Sequence, residues 1–177
     1  TCHMLLSSKA RESRKGNMII ITGDIHGEWG KLNSLINKKK PDLLIVCGDF
    51  GYWPAMDAFG MISPAGTKML WCDGNHSDHW ALKRLIEAGN MEIVPNVFYM
   101  KRGSVYTLPD NRRVLFMGGA NSTDKEVRKF GIDWFPEETI GWADMENLPE
   151  HRIDIVISHT CPNEFYNELV DRGDNDP

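Results

Sequence analysis

The chain has 177 residues, a net charge of −5 at neutral pH, 41% hydrophobic residues and 4 cysteines. That length suits one domain with a sizeable core, and the acidity argues against a long nucleic acid as partner, since sequence-independent binding depends on Lys and Arg neutralising phosphates. No stretch nears the roughly 20 apolar residues of a membrane span, and Cys2, Cys47, Cys72 and Cys161 lack the CxxC spacing of a zinc knuckle or thioredoxin-like site, so a reducing cytoplasm and no membrane partner are expected.

Residues 1–17 are polar and basic without periodicity. His3-Met4 resembles the scar of an expression vector, and 1–17 reads as a leader outside the fold, which leaves 18–177 as the domain. The apolar run 18–21 predicts a buried strand. It ends in Gly23-Asp24-Ile25-His26-Gly27. Residues 28–38 place Trp29, Leu32, Leu35 and Ile36 at helical spacing. A second apolar run, 43–47, ends in Gly48-Asp49-Phe50-Gly51, which completes a βαβ unit. Residues 52–66 hold two prolines and two glycines and read as an irregular excursion, with a short helix around 55–59.

A third run, 69–72, ends in Gly74-Asn75-His76-Ser77-Asp78. The helix predicted over 78–88 carries Trp80, Leu82, Leu85 and Ile86, and Gly89 closes it. Then the pattern changes. Short runs at 97–100, 105–108 and 113–117, separated by Lys101-Arg102-Gly103 and Pro109-Asp110-Asn111, read as β-hairpins. Early βαβ units followed by a meander predict two packed sheets with helices outside. Pro136 opens a predicted helix through about Asn147. The run 153–158 ends in His159, and a last helix is expected over 163–169.

Parallel buried strands read as continuous apolar runs, and α/β proteins place their sites beyond the strand carboxyl ends. The first three runs would therefore bring Asp24, His26, Asp49, Asn75 and His76 to one sheet edge, and a fourth run ends in His159. Their carboxylate, imidazole and amide donors suit manganese, iron, zinc or magnesium. Taken singly each has a plainer reading: a turn aspartate, a solvated histidine, a turn asparagine. Asp24 and His26 are one residue apart, so in an extended strand end both can reach one cation.

GDIHG, GDFG and GNH in this order, followed by Ser158-His159-Thr160, resemble the calcineurin-like metallophosphoesterase superfamily over residues 18 to about 159. The resemblance implies an α/β/β/α sandwich and a two-metal hydrolase of phosphate esters, with manganese the first choice of cation. It implies that Asp49 bridges two divalent cations, that Asp24 and His26 hold one, and that Asn75 and His159 help hold the other. It also implies that His76 faces the substrate as the catalytic acid, a task that suits an imidazole. The expected substrate is a small phosphate ester.

The chain departs from the family's pattern at two places. The family's closing Gly-His-x-His segment is absent, so the domain is expected to be incomplete at its carboxyl end. The residue after His76 is Ser77, not an acid; Asp78 follows, and either orients His76 or caps the next helix. Val170-Asp171-Arg172-Gly173 spells a protein-phosphatase phrase, but far from its usual place, and Gly173 reads better as a helix stop.

Two alternatives remain open at this level: an impaired protein-binding scaffold on the same fold, such as the retromer scaffold subunit, and a nucleotide phosphodiesterase or nuclease. Of the remaining groups, Asp124, Lys125 and Arg128 read as a solvated face, with a phosphate contact as the alternative. Trp53, Trp134 and Phe135 read as loop core, and His3, His79 and His151 as surface residues.

Overall fold

A computed structural model describes residues 17–52, 62–146 and 148–161. The leader through residue 16, Trp53, the short helix at 55–59, the helix at 163–169 and the phrase at 170–173 lie outside the described residues.

In chain order the elements are β1 (Ile19–Thr22), α1 (Trp29–Lys39), β2 (Leu43–Val46), β3 (Lys68–Trp71), α2 (His79–Glu87), β4 (Glu92–Val94), β5 (Val97–Tyr99), β6 (Val105–Thr107), β7 (Arg113–Met117), α3 (Trp142–Glu146) and β8 (Ile155–Ser158). They build two mixed sheets. The first has the order β1-β2-β3-β5-β4, and the second β6-β7-β8. Strands β1, β2, β3 and β5 run parallel, so the turns after the first three leave the same edge.

Residues alternate across β2. Leu44 and Val46 pack with Trp29, Leu32 and Ile36 of α1 and Leu82 of α2 on the outer face. Leu43 and Ile45 pack inward with Val114 and Phe116 of β7 and Ile157 of β8. The same strand therefore serves two cores, which is why its sequence is apolar at every position. Aromatic rings fill the outer core beneath the site: Phe50 stacks on Trp71 with ring centroids 4.9 Å apart, and Trp29 meets Phe50 edge-on at 5.0 Å.

Three expectations change. The run at 97–100 is no hairpin partner of the next one. β5 pairs in parallel with β3, and its antiparallel partner is β4, an element the sequence pattern does not show. Lys101-Arg102-Gly103 instead carries the chain to the second sheet, where Gly103 N donates to Phe116 O at 2.9 Å. Only β6 and β7 form a hairpin among those runs.

The single helix expected from Pro136 to Asn147 is a 3-10 turn over Pro136–Glu138 and then α3. Thr139 between them is extended. The reason is Arg102, whose guanidinium collects the carbonyls of Glu137 and Glu138 at 2.8 and 3.0 Å and of Thr139 at 3.1 Å. A helix would have used those carbonyls internally.

His79 is also not a surface residue. It is buried at the start of α2, with Nε2 3.1 Å from Gly74 O.

Arg102 has a second partner that explains its position. Asp73 is 1% exposed at the end of β3. It accepts from Arg102 Nε and Nη2 at 3.1 and 2.8 Å and from Tyr99 OH at 3.0 Å. Breaking a buried pair leaves an uncompensated charge. Arg102→Met is expected to cost about 3–5 kcal/mol of stability by that rule, measured by urea unfolding; a loss below about 1 kcal/mol, the range of exposed pairs, would contradict the pair's role.

Candidate metal centre

The glycine motifs permit close approach at the sheet edge. A Cβ on Gly48, whose φ is +81°, would sit 2.3 Å from the His159 ring, and one on Gly74 would sit 2.2 Å from Asp49 Oδ1. No other residue leaves that room. Asp24, His26 and Asp49 take φ values of 52°, 47° and 43°. The left-handed region is costly for residues with a Cβ, and observed outliers of this kind cluster at functional sites.

Asp49 is the junction. Its carbonyl accepts from His26 N at 2.8 Å, and its Oδ1 accepts from His76 N at 2.9 Å. Its Oδ2 lies 3.3 Å from His159 Nε2 and 3.7 Å from His26 Nε2. Thus one buried carboxylate touches the first loop, the third loop and the end of β8.

Around it, His26 Nε2 and His159 Nδ1 are each 3.9 Å from Asp24 Oδ1. Asn75 Oδ1 is 3.2 Å from His159 Nε2. The His76 ring meets the His26 ring edge-on at 5.2 Å. The structure therefore brings all six of the sequence-derived candidates into one cluster, with Asp24 the most exposed.

The donor set fits a divalent cation. Ligands about 2.0–2.2 Å from one ion lie roughly 3–3.5 Å from each other. The gaps from His159 Nε2 to Asp49 Oδ2 and Asn75 Oδ1 are 3.3 and 3.2 Å. One donor atom each from Asp24, Asp49 and His159 lies within 4.8 Å of the others. The second ring nitrogen supports the same fit: His159 Nδ1 is 2.9 Å from Cys47 O, so it carries the proton that this carbonyl accepts. Ligating histidines are commonly held in this way, which leaves Nε2 as the donor atom.

His159 and Asp49 form an ion pair. Burial opposes the charge on His159, but the hydrogen bond to Asp49, the Cys47 carbonyl and the charge of Asp24 outweigh it and raise its pKa to about 9. For Asp49 burial works upward, and the contacts with His159 and His76 prevail and bring its pKa below the ordinary value.

Of the two readings of Asp78, the cap holds: its Oδ1 accepts from Ala81 N at 2.9 Å at the start of α2. Other neighbours were not legible in the sequence. Arg128 is a partner of His76 and is not on a solvated face. Arg128 Nη2 lies 2.9 Å from His76 Nε2, Nη1 reaches Asn75 O at 3.4 Å, and Nε pairs with Asp124 at 2.8 Å. A guanidinium only donates, so His76 Nε2 is an acceptor here. Burial lowers the His76 pKa, with Arg128 and His26 adding to it against Asp49. Phe135 is buried as expected of loop core, while Trp134 donates to Glu138 Oε1 at 3.2 Å. Ser122 and Glu138 behind Asn75 gave no signal beyond being common polar residues.

The model of the calcineurin-like phosphoesterase family matches residues 18–176. The chain belongs to that family. Comparisons with curated proteins and with solved structures returned no match. The family consists of phosphoesterases that typically bind divalent metals, and both the fold and the cluster around Asp49 agree with it.

The ion pair makes stability depend on pH. A histidine pKa raised above its unfolded value gives stability that is complete below about pH 6.5 and is lost as pH rises through about 9. Urea unfolding in chelator across that window should show the wild type losing about 1–3 kcal/mol that His159→Asn never had. Parallel curves for the two proteins would remove the pair.

Proposed function

We propose that this phosphoesterase hydrolyses small phosphate monoesters with two divalent cations at the Asp49 cluster. The observation that supports it best is the set of oxygen and nitrogen donors around one buried carboxylate, with a guanidinium beside them. Asp24 and His26 would hold one cation, Asn75 and His159 the other, and Asp49 would touch both. The mixed donor set favours manganese, with iron, zinc or magnesium as lesser fits. When bound, the cations supply Lewis-acid stabilisation of charge on the phosphoryl oxygens and a hydroxide nucleophile near neutral pH.

The protein's own groups do the rest. His159 keeps its Nδ1 proton on Cys47 O and so presents a fixed Nε2. Asp49 Oδ1 holds the backbone of His76, which sets where that imidazole stands. Arg128 offers a rigid fork to a non-bridging phosphate oxygen. In the resting structure its Nη2 rests on His76 Nε2, so a phosphate that draws the guanidinium away frees that nitrogen. His76 would then take a proton from solvent and deliver it to the departing ester oxygen, which leaves as the alcohol.

Arg128 also favours a monoester, whose phosphoryl group carries more charge and one more free oxygen than a diester. The net charge of −5 leaves little attraction for a long polyanion. No helix among the described residues is long and apolar enough to cross a membrane. The free thiols Cys47, Cys72 and Cys161 suit a reducing cytoplasm.

Chromogenic phosphate mono- and diesters assayed with and without Mn²⁺ test the reading. Activity should need the metal and favour monoesters. Asp49→Asn should abolish it, because the amide nitrogen would face His159 Nε2 and the bridging charge would be gone. No metal-dependent turnover by the wild type on either ester class would point to a scaffold. Arg128→Met should lower kcat/KM for monoesters by roughly 10–100-fold, the worth of a hydrogen bond to a charged group, and affect diesters less. Equal losses on both would remove the guanidinium from monoester selection.

A further inference from the structure

Asn75 is a two-faced ligand. Its Oδ1 can face a cation, but the same amide turned over presents two N–H donors instead. Something must choose between these states. Behind Asn75, Nδ2 donates to Ser122 Oγ at 3.2 Å, and Ser122 Oγ donates to Glu138 Oε2 at 2.9 Å. Ser122 N and Trp134 Nε1 both donate to Glu138 Oε1, at 2.6 and 3.2 Å. Ser122 and Glu138 are 4% and 1% exposed.

We infer that Ser122 and Glu138 are positioning residues that fix the Asn75 amide with its oxygen toward the second cation. The inference rests on the metal-centre reading. The direction of the chain follows from donor counting. A backbone N–H and an indole N–H can only donate, so they hold the carboxylate in place as an acceptor. Ser122 has one hydroxyl proton and gives it to Oε2. Only its lone pairs remain for Asn75, which must therefore offer Nδ2. Oδ1 is then turned the other way, toward His159 Nε2 at 3.2 Å.

Glu138 is itself fixed through its backbone. Its carbonyl accepts from Ala120 N at 3.0 Å and from Arg102 Nη2 at 3.0 Å. The relay is thus anchored to the strand ends of both sheets. Neither Ser122 nor Glu138 is placed among the cation's own ligands, so their effect passes through Asn75.

Glu138→Gln reverses the chain while hardly changing its shape. The Gln oxygen keeps the two N–H donors, and the new amide nitrogen donates to Ser122 Oγ. The hydroxyl proton then finds an acceptor in Asn75 only if that amide turns over and presents N–H to the cation; with Oδ1 kept on the cation, the buried proton goes unpaired, so either arrangement weakens that ion. Ser122→Ala removes the acceptor for Nδ2 and leaves the amide free to rotate. Ser122→Thr keeps the hydroxyl.

The test is calorimetric titration of Mn²⁺ into the chelator-stripped full chain, with thermal melts of each variant in chelator. Wild type should show two binding events. Glu138→Gln and Ser122→Ala should weaken one of them by roughly 10–100-fold, the usual effect of losing an outer-shell partner, and leave the other unchanged. Ser122→Thr should restore it. In an Asn75→Asp background, where either orientation offers an oxygen, Glu138→Gln should cost no further affinity.

The inference is overturned if folded Glu138→Gln binds both ions as the wild type does. It is equally overturned if both events weaken together with a fall in melting temperature, which would mark a merely structural role. If one of the two variants does not fold, the other decides. A wild type that takes up no Mn²⁺ would overturn the metal-centre reading itself, a result distinct from either of these.

Discussion

One buried carboxylate holds the candidate site together. Asp49 accepts through its backbone from the first loop and through Oδ1 from the third, and it faces His159 of the last strand through Oδ2. These three contacts tie Asp49 to His26, His76 and His159, across two sheets. They also require left-handed turns at Asp24, His26 and Asp49, each costing on the order of 1–3 kcal/mol. Nothing in packing alone calls for that strain. The turns aim donor atoms at a common point, which a fold selected only for stability would have no reason to do.

The frame behind the edge explains how the strain is tolerated. Strand β2 is buried on both faces, and the aromatic group of Trp29, Phe50, Trp71 and Tyr99 sits directly beneath the loops. Asp73 at the end of β3 ties Tyr99 and Arg102 together, and Arg102 in turn fixes the segment that carries Glu138. The polar network and the aromatic core thus restrain the same strand ends from opposite sides. Charge balance completes the picture. The carboxylates of Asp24 and Asp49 attract positive charge, which the proton on His159 supplies. A divalent ion would take over that role, so metal uptake should release a proton.

The parallel strands and the residues that cluster around Asp49 were legible because both signals are local. Each strand is a continuous apolar run, and each of these residues follows within a few positions of a run's end. Most of the departures come from contacts between distant residues. Arg102 reads as a turn residue, yet it draws three carbonyls 35 to 37 residues away and breaks an otherwise plausible helix. Ser122 is 47 residues from Asn75, and Arg128 is 52 from His76. No period or motif marks such pairs. His79 shows the same limit. A histidine at a helix start looks exposed until the sheet edge above it is built. β4 was missed because three residues with one charge carry too little pattern to read as a strand.

Anomalous diffraction from crystals grown with Mn²⁺ addresses the central claim most directly. Two peaks roughly 3.5–4 Å apart are expected, both in contact with Asp49, one beside Asp24 and His26 and the other beside Asn75 and His159. A peak remote from Asp49, or no peak at saturating Mn²⁺, would contradict the claim that this edge is a two-cation phosphoesterase centre.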